Sequence, residues 1–386
     1  MRIFLILTSL ACSFAAENKK PQLPAPYATP SATNPPKVVP QPDGRQLTVP
    51  AGFTVTEYAS DFKKPRIMMQ LPSGPVLVSD SIANGSVIAL TNNGKERKPL
   101  LTGLAKPFGL ALHDGYLYVS EDEAIKRYKL DEKALSVGPA ETVVALKGYG
   151  KGHWTRSIAF DPKTKKMYVS VGSGSNVDTG DPANRAAINV YNADGTNPEI
   201  FATGLRNPVS IKFHPTSNVL WTTVQERDGL GDDLVPDFFT SVKKDAFYGW
   251  PFAYIGPNEE PRHKGEAPDK VAKSVVPDVV LPAHVAAMDF TFYTGKLFPS
   301  KYKNGAFVAL RGSGNRSKRV GYTVVYIPFK GGKPSGPPED FLGGWMMDAG
   351  QREVWGRPVG VTQLNDGSLL VSEDGNNKIW HISYKK

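Results

Sequence analysis

Cysteine is almost absent: Cys12 is the single one in 386 residues, and it lies in the first apolar stretch. The rest of the chain therefore offers no disulfide, no CxxCH haem attachment and no thiolate metal site. Long apolar runs are also missing after that stretch, so no later segment is long enough to span a bilayer. The formal net charge is +9, yet no Lys/Arg block with interleaved aromatics accompanies it, which argues against nucleic acid and leaves an anionic ligand or surface. Gly 37 and Pro 33 are too many for a helical protein, and most apolar runs are short and rich in Val, Ile and Tyr. An all-β fold is expected, and 40% hydrophobic residues are enough to give it a large core.

The opening "MRIFLILTSLACSFAAENKK" reads as a secretory signal over residues 1–16, which predicts a periplasmic or secreted protein. "SLAC" is a poor version of a lipoprotein cleavage site, so lipidation at Cys12 stays open. Residues 17–46 are Pro-rich and nearly free of large apolar side chains, as in "NPPKVVPQPD", and read as an extended tether. The folded unit is expected over 47–386.

Within it one pattern recurs: "PVLVSDS", "YLYVSED", "KMYVSVG", "VLWTTVQ", "AFVALRG" and "SLLVSED", most of them followed by a second strand after a polar turn. Short antiparallel strands repeating roughly every 40 to 60 residues are the signature of propeller blades, here six. The stretch of about 226–283 is too long for a turn, and its Gly, Pro and Asp content makes it a long insertion rather than another blade.

Ahead of each repeat stands a lead-in segment that begins with a basic or imidazole residue. These are Lys64 or Arg66, Lys106, His153 with Arg156, Arg206, His284 and Arg357. First strands of propeller blades line the central channel, so these groups should ring its mouth. Such a ring of cations calls for an anion to offset their repulsion.

The stretches "HWTRSIAF", "MYVSVGSGSN", "NRAAINVYNADG", "GLRNPVSIKF", "QERDGLGDD", "FYGWPFAYIG" and "GRPVGVTQLNDGSLLVSEDGNNKIWHISY" resemble the soluble pyrroloquinoline-quinone (PQQ)-dependent sugar dehydrogenases, and most of all their sorbosone dehydrogenase branch. The likeness runs from Leu47 to Tyr384 in the expected order. It implies a six-bladed propeller that oxidises a sugar or polyol with PQQ and Ca2+. The quinone's three carboxylates would supply the missing anion. By resemblance, His153 is the catalytic base, while Arg206, Asn207 and Arg357 contact the quinone. Arg311, Arg316 and Lys318 are candidates for a further cation, and Lys106 and His284 for ligand contacts. The calcium segment maps onto Glu226, Asp228, Asp232 and Asp233, with backbone oxygens near Arg227 and Tyr248.

Two positions depart from the glucose-oxidising members. Ser173 stands where they carry an aspartate partner for the histidine, leaving Asn176, Asp178 or water to orient His153. Lys106 stands where they carry a glutamine. With no haem motif, electrons must leave to a separate acceptor, a cytochrome or a quinone. Trp154 is expected either to wall the pocket or to pack between blades, Trp250 to anchor the insertion, and His113, His214, His263 and His381 to be bland. Two other functions fit parts of the pattern: a calcium-dependent hydrolase of the sugar lactonase kind, and a binding propeller without turnover.

Overall fold

The computed structural model describes residues 22–385. Six four-stranded antiparallel units succeed one another around a channel, and the protein is a six-bladed β-propeller. The inner strands are Pro65–Gln70, Leu110–His113, Ile158–Phe160, Asn207–Phe213, Ala287–Phe292 and Pro358–Gln363. The recurrent apolar motifs form the second strands, for example Val76–Asp80 and Leu369–Glu373, buried along their whole length because neighbouring blades cover both faces. The ring closes where Phe53–Ala59 pairs antiparallel with Lys378–Tyr384, which joins the two ends of the folded unit in one blade.

The serine of the recurrent "VS" has a structural task. Ser120 Oγ accepts from Gly109 N–H at 2.7 Å and donates to Arg156 O in the next blade at 2.6 Å. Ser372 makes the same bridge from Gly360 N–H to Arg66 O. Each hydroxyl thus fills a gap in its own ladder and fastens the adjoining blade. Gly109 permits the approach, since a Cβ there would lie 2.6 Å from Arg156 O.

The stretch 226–283 is not a single insertion. Pro236–Ser241 and Val279–Ala283 are the third and fourth strands of the fourth blade. The first of them is buried on both sides, which removes the period-2 alternation that marks a strand in sequence. The true excursion lies between them. It adds Ala246–Phe247 to the third blade and then forms the Ala253–Tyr254/Asn258–Glu259 hairpin and the helix Pro268–Lys273.

The Pro-rich segment is extended over its described part, but it is laid along the propeller rather than hanging free. Tyr27 N–H donates to Leu230 O, and Thr29 Oγ1 accepts from Asp232 N–H. Asn34 Nδ2 donates to Arg316 O and Ser317 O, and Asn34 Oδ1 accepts from the buried Arg319 at 2.8 Å. Lys37–Val38 then pairs with Glu353–Val354. Asn34→Ala should destabilise the protein by about 1–3 kcal/mol, because Arg319 loses an acceptor inside the fold. Chemical denaturation of the two proteins measures this. The signal segment and Cys12 lie outside the described residues. Among those described, no helix is long and apolar enough to cross a membrane.

Candidate active site

Two adjoining cavities of about 180 and 200 Å3 open where the lead-in segments converge, and both are lined by His153, Gln225 and Ala286. The first also takes Arg206, Glu226, Asp228, Asp237, His284 and Arg357. The second takes Arg66, Trp154, Asn207, Met288 and Arg311.

His153 is held by its own blade. Its Nδ1 lies 3.0 Å from both the carbonyl and the hydroxyl of Ser173. That hydroxyl donates onward to Ser175 O at 2.6 Å, and a carbonyl only accepts, so Nδ1 carries the proton and Nε2 is left with a free lone pair. Burial and the nearby Arg206 push this imidazole down to about 3, so it is neutral at any ordinary pH. Neither polar neighbour expected from the sequence orients it. Asn176 bonds Arg206 and Asp228, and Asp178 pairs with Arg262 at 3.0 Å. Gly172 keeps the turn close, since a Cβ there would meet His153 Cβ at 2.6 Å.

The cations of the mouth are partly neutralised by the protein itself. Arg66 reaches Asp374 at 2.6 Å, and Arg311 forks onto the same carboxylate at 2.9 and 3.0 Å. Burial alone would raise Asp374, but these two guanidiniums outweigh it and hold the carboxyl down at about 2. Arg357 donates to Gly312 O at 2.9 Å. Arg206 spends its fork on Asn176 and on Glu226 O at 2.8 Å, so it fixes the fourth blade's loop as well as lining the cavity. Among the described residues, His284 Nδ1 is 3.0 Å from Asp228 Oδ1 and Nε2 is 2.9 Å from Gly231 O. With two acceptors its ring is an imidazolium: burial works against the charge, and those two bonds outweigh it.

The remaining sequence candidates separate. Lys106 pairs with Asp122 at 3.3 Å and lines neither cavity. Arg156 is buried with its donors on His153 O, Thr155 O and Tyr149 O, behind the cavity wall. Lys64 and Lys318 are exposed, and Arg316 turns away to Asp233 at 2.5 Å. Asp232 is tied to Ser317, so Asp232 and Asp233 point away from Glu226 and Asp228. Arg227 pairs with Glu260 at 3.1 Å, and Tyr248 donates its hydroxyl to Ser241 O outside both cavities. Trp154 walls the second cavity, with Phe108 edge-on at 5.8 Å and Arg66 over its ring at 5.7 Å. Trp250 anchors the excursion through its Nε1–H to Asn176 O. His113, His214, His263 and His381 line neither cavity.

Sequence reasoning missed Gln225, Asp237 and Asp374. Asp237 was hidden inside the supposed insertion. Asp374 is the last letter of the repeat "VSED", which was read only as a blade strand. Glu226 Oε1 is buried with no hydrogen-bond partner among the described residues, and burial raises this carboxyl to about 8. Beside it, burial raises Asp237 to about 6. No three acidic or imidazole side chains among the described residues form a metal cage by themselves. A divalent cation at Glu226 would therefore draw the rest of its ligands from backbone oxygens, water or a bound ligand. Among the described residues, the basic lining and the unpartnered Glu226 Oε1 fit an anionic group bound together with such a cation.

The fold and the site define a six-bladed propeller with one imidazole and several guanidiniums gathered at a single channel mouth. The chain belongs to the TrAA12-like family, whose match spans residues 47–237 and 256–385. It is 32% identical over 355 residues to an uncharacterized protein of Borreliella burgdorferi, covering 88% of this chain and 91% of that protein. It is 25% identical over 291 residues to a pyrroloquinoline quinone-dependent pyranose dehydrogenase of Coprinopsis cinerea, covering 60% of this chain but only 39% of that protein. The calcium structure of the Trichoderma reesei AA12 carbohydrate-active enzyme superposes with a TM-score of 0.73 at 20% identity, over 95% of this chain and 100% of that one. The described segment 22–46 lies outside the family match.

Proposed function

We propose that this protein is an exported quinoprotein dehydrogenase that oxidises a sugar or polyol with PQQ and Ca2+. The observation that carries the reading is the free Nε2 of His153, fixed by Ser173 and facing a cavity lined by Arg206, His284 and Arg357. Arg206, Asn207, Arg311 and Arg357 would hold the quinone's carboxylates and carbonyl oxygens. Glu226 would serve the calcium ion, joined by Asp228 or Asp237. When bound, the quinone would supply the acceptor for a hydride from the substrate carbon. His153 Nε2 takes the hydroxyl proton, and the adjoining guanidiniums stabilise the negative charge that develops opposite it. Trp154 offers an apolar face to a sugar ring. A base held this low works best on an acidic hydroxyl, which favours an anomeric hydroxyl or an aldehyde hydrate over a simple alcohol. The sorbosone-type aldehydes are therefore among the substrates to test. Electrons would pass to a separate cytochrome or quinone.

A hydrolytic reading in the manner of sugar lactonases is disfavoured by the origin of the acids. Glu226, Asp228 and Asp237 all come from the fourth blade, whereas such metal sites gather carboxylates from several blades. Titrating cofactor-free protein with PQQ and Ca2+ should give a saturable change in quinone absorbance. Dye-linked oxidation of aldoses or sorbosone should then appear only when both are present. Lactone hydrolysis without quinone, or no spectral change at any concentration, would sink the proposal.

A further inference from the structure

We infer that Arg185 is the positioning residue of His153, acting through the backbone carbonyl of Ser173 in place of a carboxylate partner. Arg185 is buried, at 8% exposure, and is not part of the cavity lining. Its Nε donates to Gly172 O at 3.0 Å, and its Nη2 donates to Ser173 O at 2.8 Å and to Lys151 O at 2.9 Å. One planar fork thus ties the turn that follows the third blade's second strand to the lead-in that carries His153. A lysine has no equivalent geometry for this task. The guanidinium also lies over the Tyr149 ring at 5.1 Å, and Tyr149 O accepts from Arg156, which in turn holds His153 O at 2.8 Å.

The acceptor at the centre is Ser173 O. It receives Arg185 Nη2, the His153 backbone N–H at 3.1 Å and His153 Nδ1 at 3.0 Å. Of the two guanidiniums that brace this loop, Arg185 is the one bonded to Ser173. Fixing that carbonyl fixes the Nδ1–H tautomer and leaves Nε2 as the base. A carboxylate partner would stabilise an imidazolium strongly; a carbonyl already bonded to a cation orients the ring and strengthens it as a base far less. Burial, Arg206 and Arg185 lower His153, and the bond to Ser173 O offsets only part of that displacement.

The kinetic part of the inference rests on the dehydrogenase reading, and the tautomer part does not. The chain has only six histidines, so nitrogen NMR of histidine-labelled, cofactor-free protein can resolve His153. In the parent protein its Nδ1 should be protonated and its Nε2 bare. In Arg185→Gln the two tautomers should mix, with Arg185→Lys intermediate. With PQQ, Ca2+ and an aldose such as glucose, kcat should fall about tenfold to a hundredfold in Arg185→Gln, as expected for a misplaced base, while the quinone Kd stays within about twofold. An unchanged tautomer overturns the inference. So does a kcat loss matched step for step by lost quinone affinity and thermal stability. If the parent protein oxidises nothing, the dehydrogenase reading fails, and the tautomer measurement still decides the role of Arg185.

Discussion

His153→Ala should lower kcat by about 10²–10⁴-fold, the usual contribution of a positioned general base, while PQQ binding measured by absorbance is kept. The retained binding separates loss of the base from loss of the site, because the basic contacts come from other blades. The pH profile supplies a second check. With His153 held at about 3, no acid limb from this group should appear in the parent enzyme between roughly pH 5 and 8, so a limb near 6.5 would contradict its burial beside Arg206. The linkage has a definite sign. The unfolded chain takes up a proton on this imidazole below about 6.5 and the folded chain does not, so stability falls as pH drops from there toward 3. Above 6.5 both states are neutral and His153 contributes no slope.

Asp374→Ala should be the most destabilising single change at the channel, costing about 3–5 kcal/mol, because it leaves Arg66 and Arg311 facing each other in the interior. In a chain of this size that corresponds to a fall in Tm of roughly 4–6 °C, readable by calorimetry or circular dichroism. A loss below about 1 kcal/mol would mean that water reaches the pair and screens it. The acid arm runs in the sense opposite to a raised carboxyl. The folded pKa of about 2 lies below the ordinary aspartate value of 3.8, so the stabilisation is complete above pH 3.8 and is lost as pH falls through 2. Asp374→Asn should abolish that acid dependence while costing less than Asp374→Ala, since the amide oxygen still accepts a hydrogen bond.

The six-blade architecture was legible because most repeats announce themselves twice. Apolar residues bury the second strand, and in five of the six repeats a serine or threonine, such as Ser120 at the end of its strand, bonds the neighbouring backbone. The mouth was legible as a set of lead-in residues, and Arg66, His153, Arg206, His284 and Arg357 do converge there. Pro236–Ser241 was not recognisable as a strand, because a strand covered on both faces loses its alternation. The expected calcium set of Glu226, Asp228, Asp232 and Asp233 split in the same region. Local spacing places acids on one loop but cannot say that Ser317 and Arg316 draw two of them away.

The charge balance is the deeper difference. A row of basic lead-ins suggests an unneutralised ring, yet the partners that offset it lie far along the chain. Asp374 reaches Arg66 across the closing blade, and Asp228 meets His284 from the loop of the preceding one. By itself the sequence determined the blade count and the lead-ins to the inner strands, because these follow from local periodicity and from motifs within one blade, and its family resemblance singled out His153 as the residue to examine. Only the tertiary structure decided what His153 bonds, which cations the protein pairs and that Glu226 Oε1 lacks a partner among the described residues. Those outcomes depend on distances between blades and on burial, and neither is encoded in any single stretch of residues.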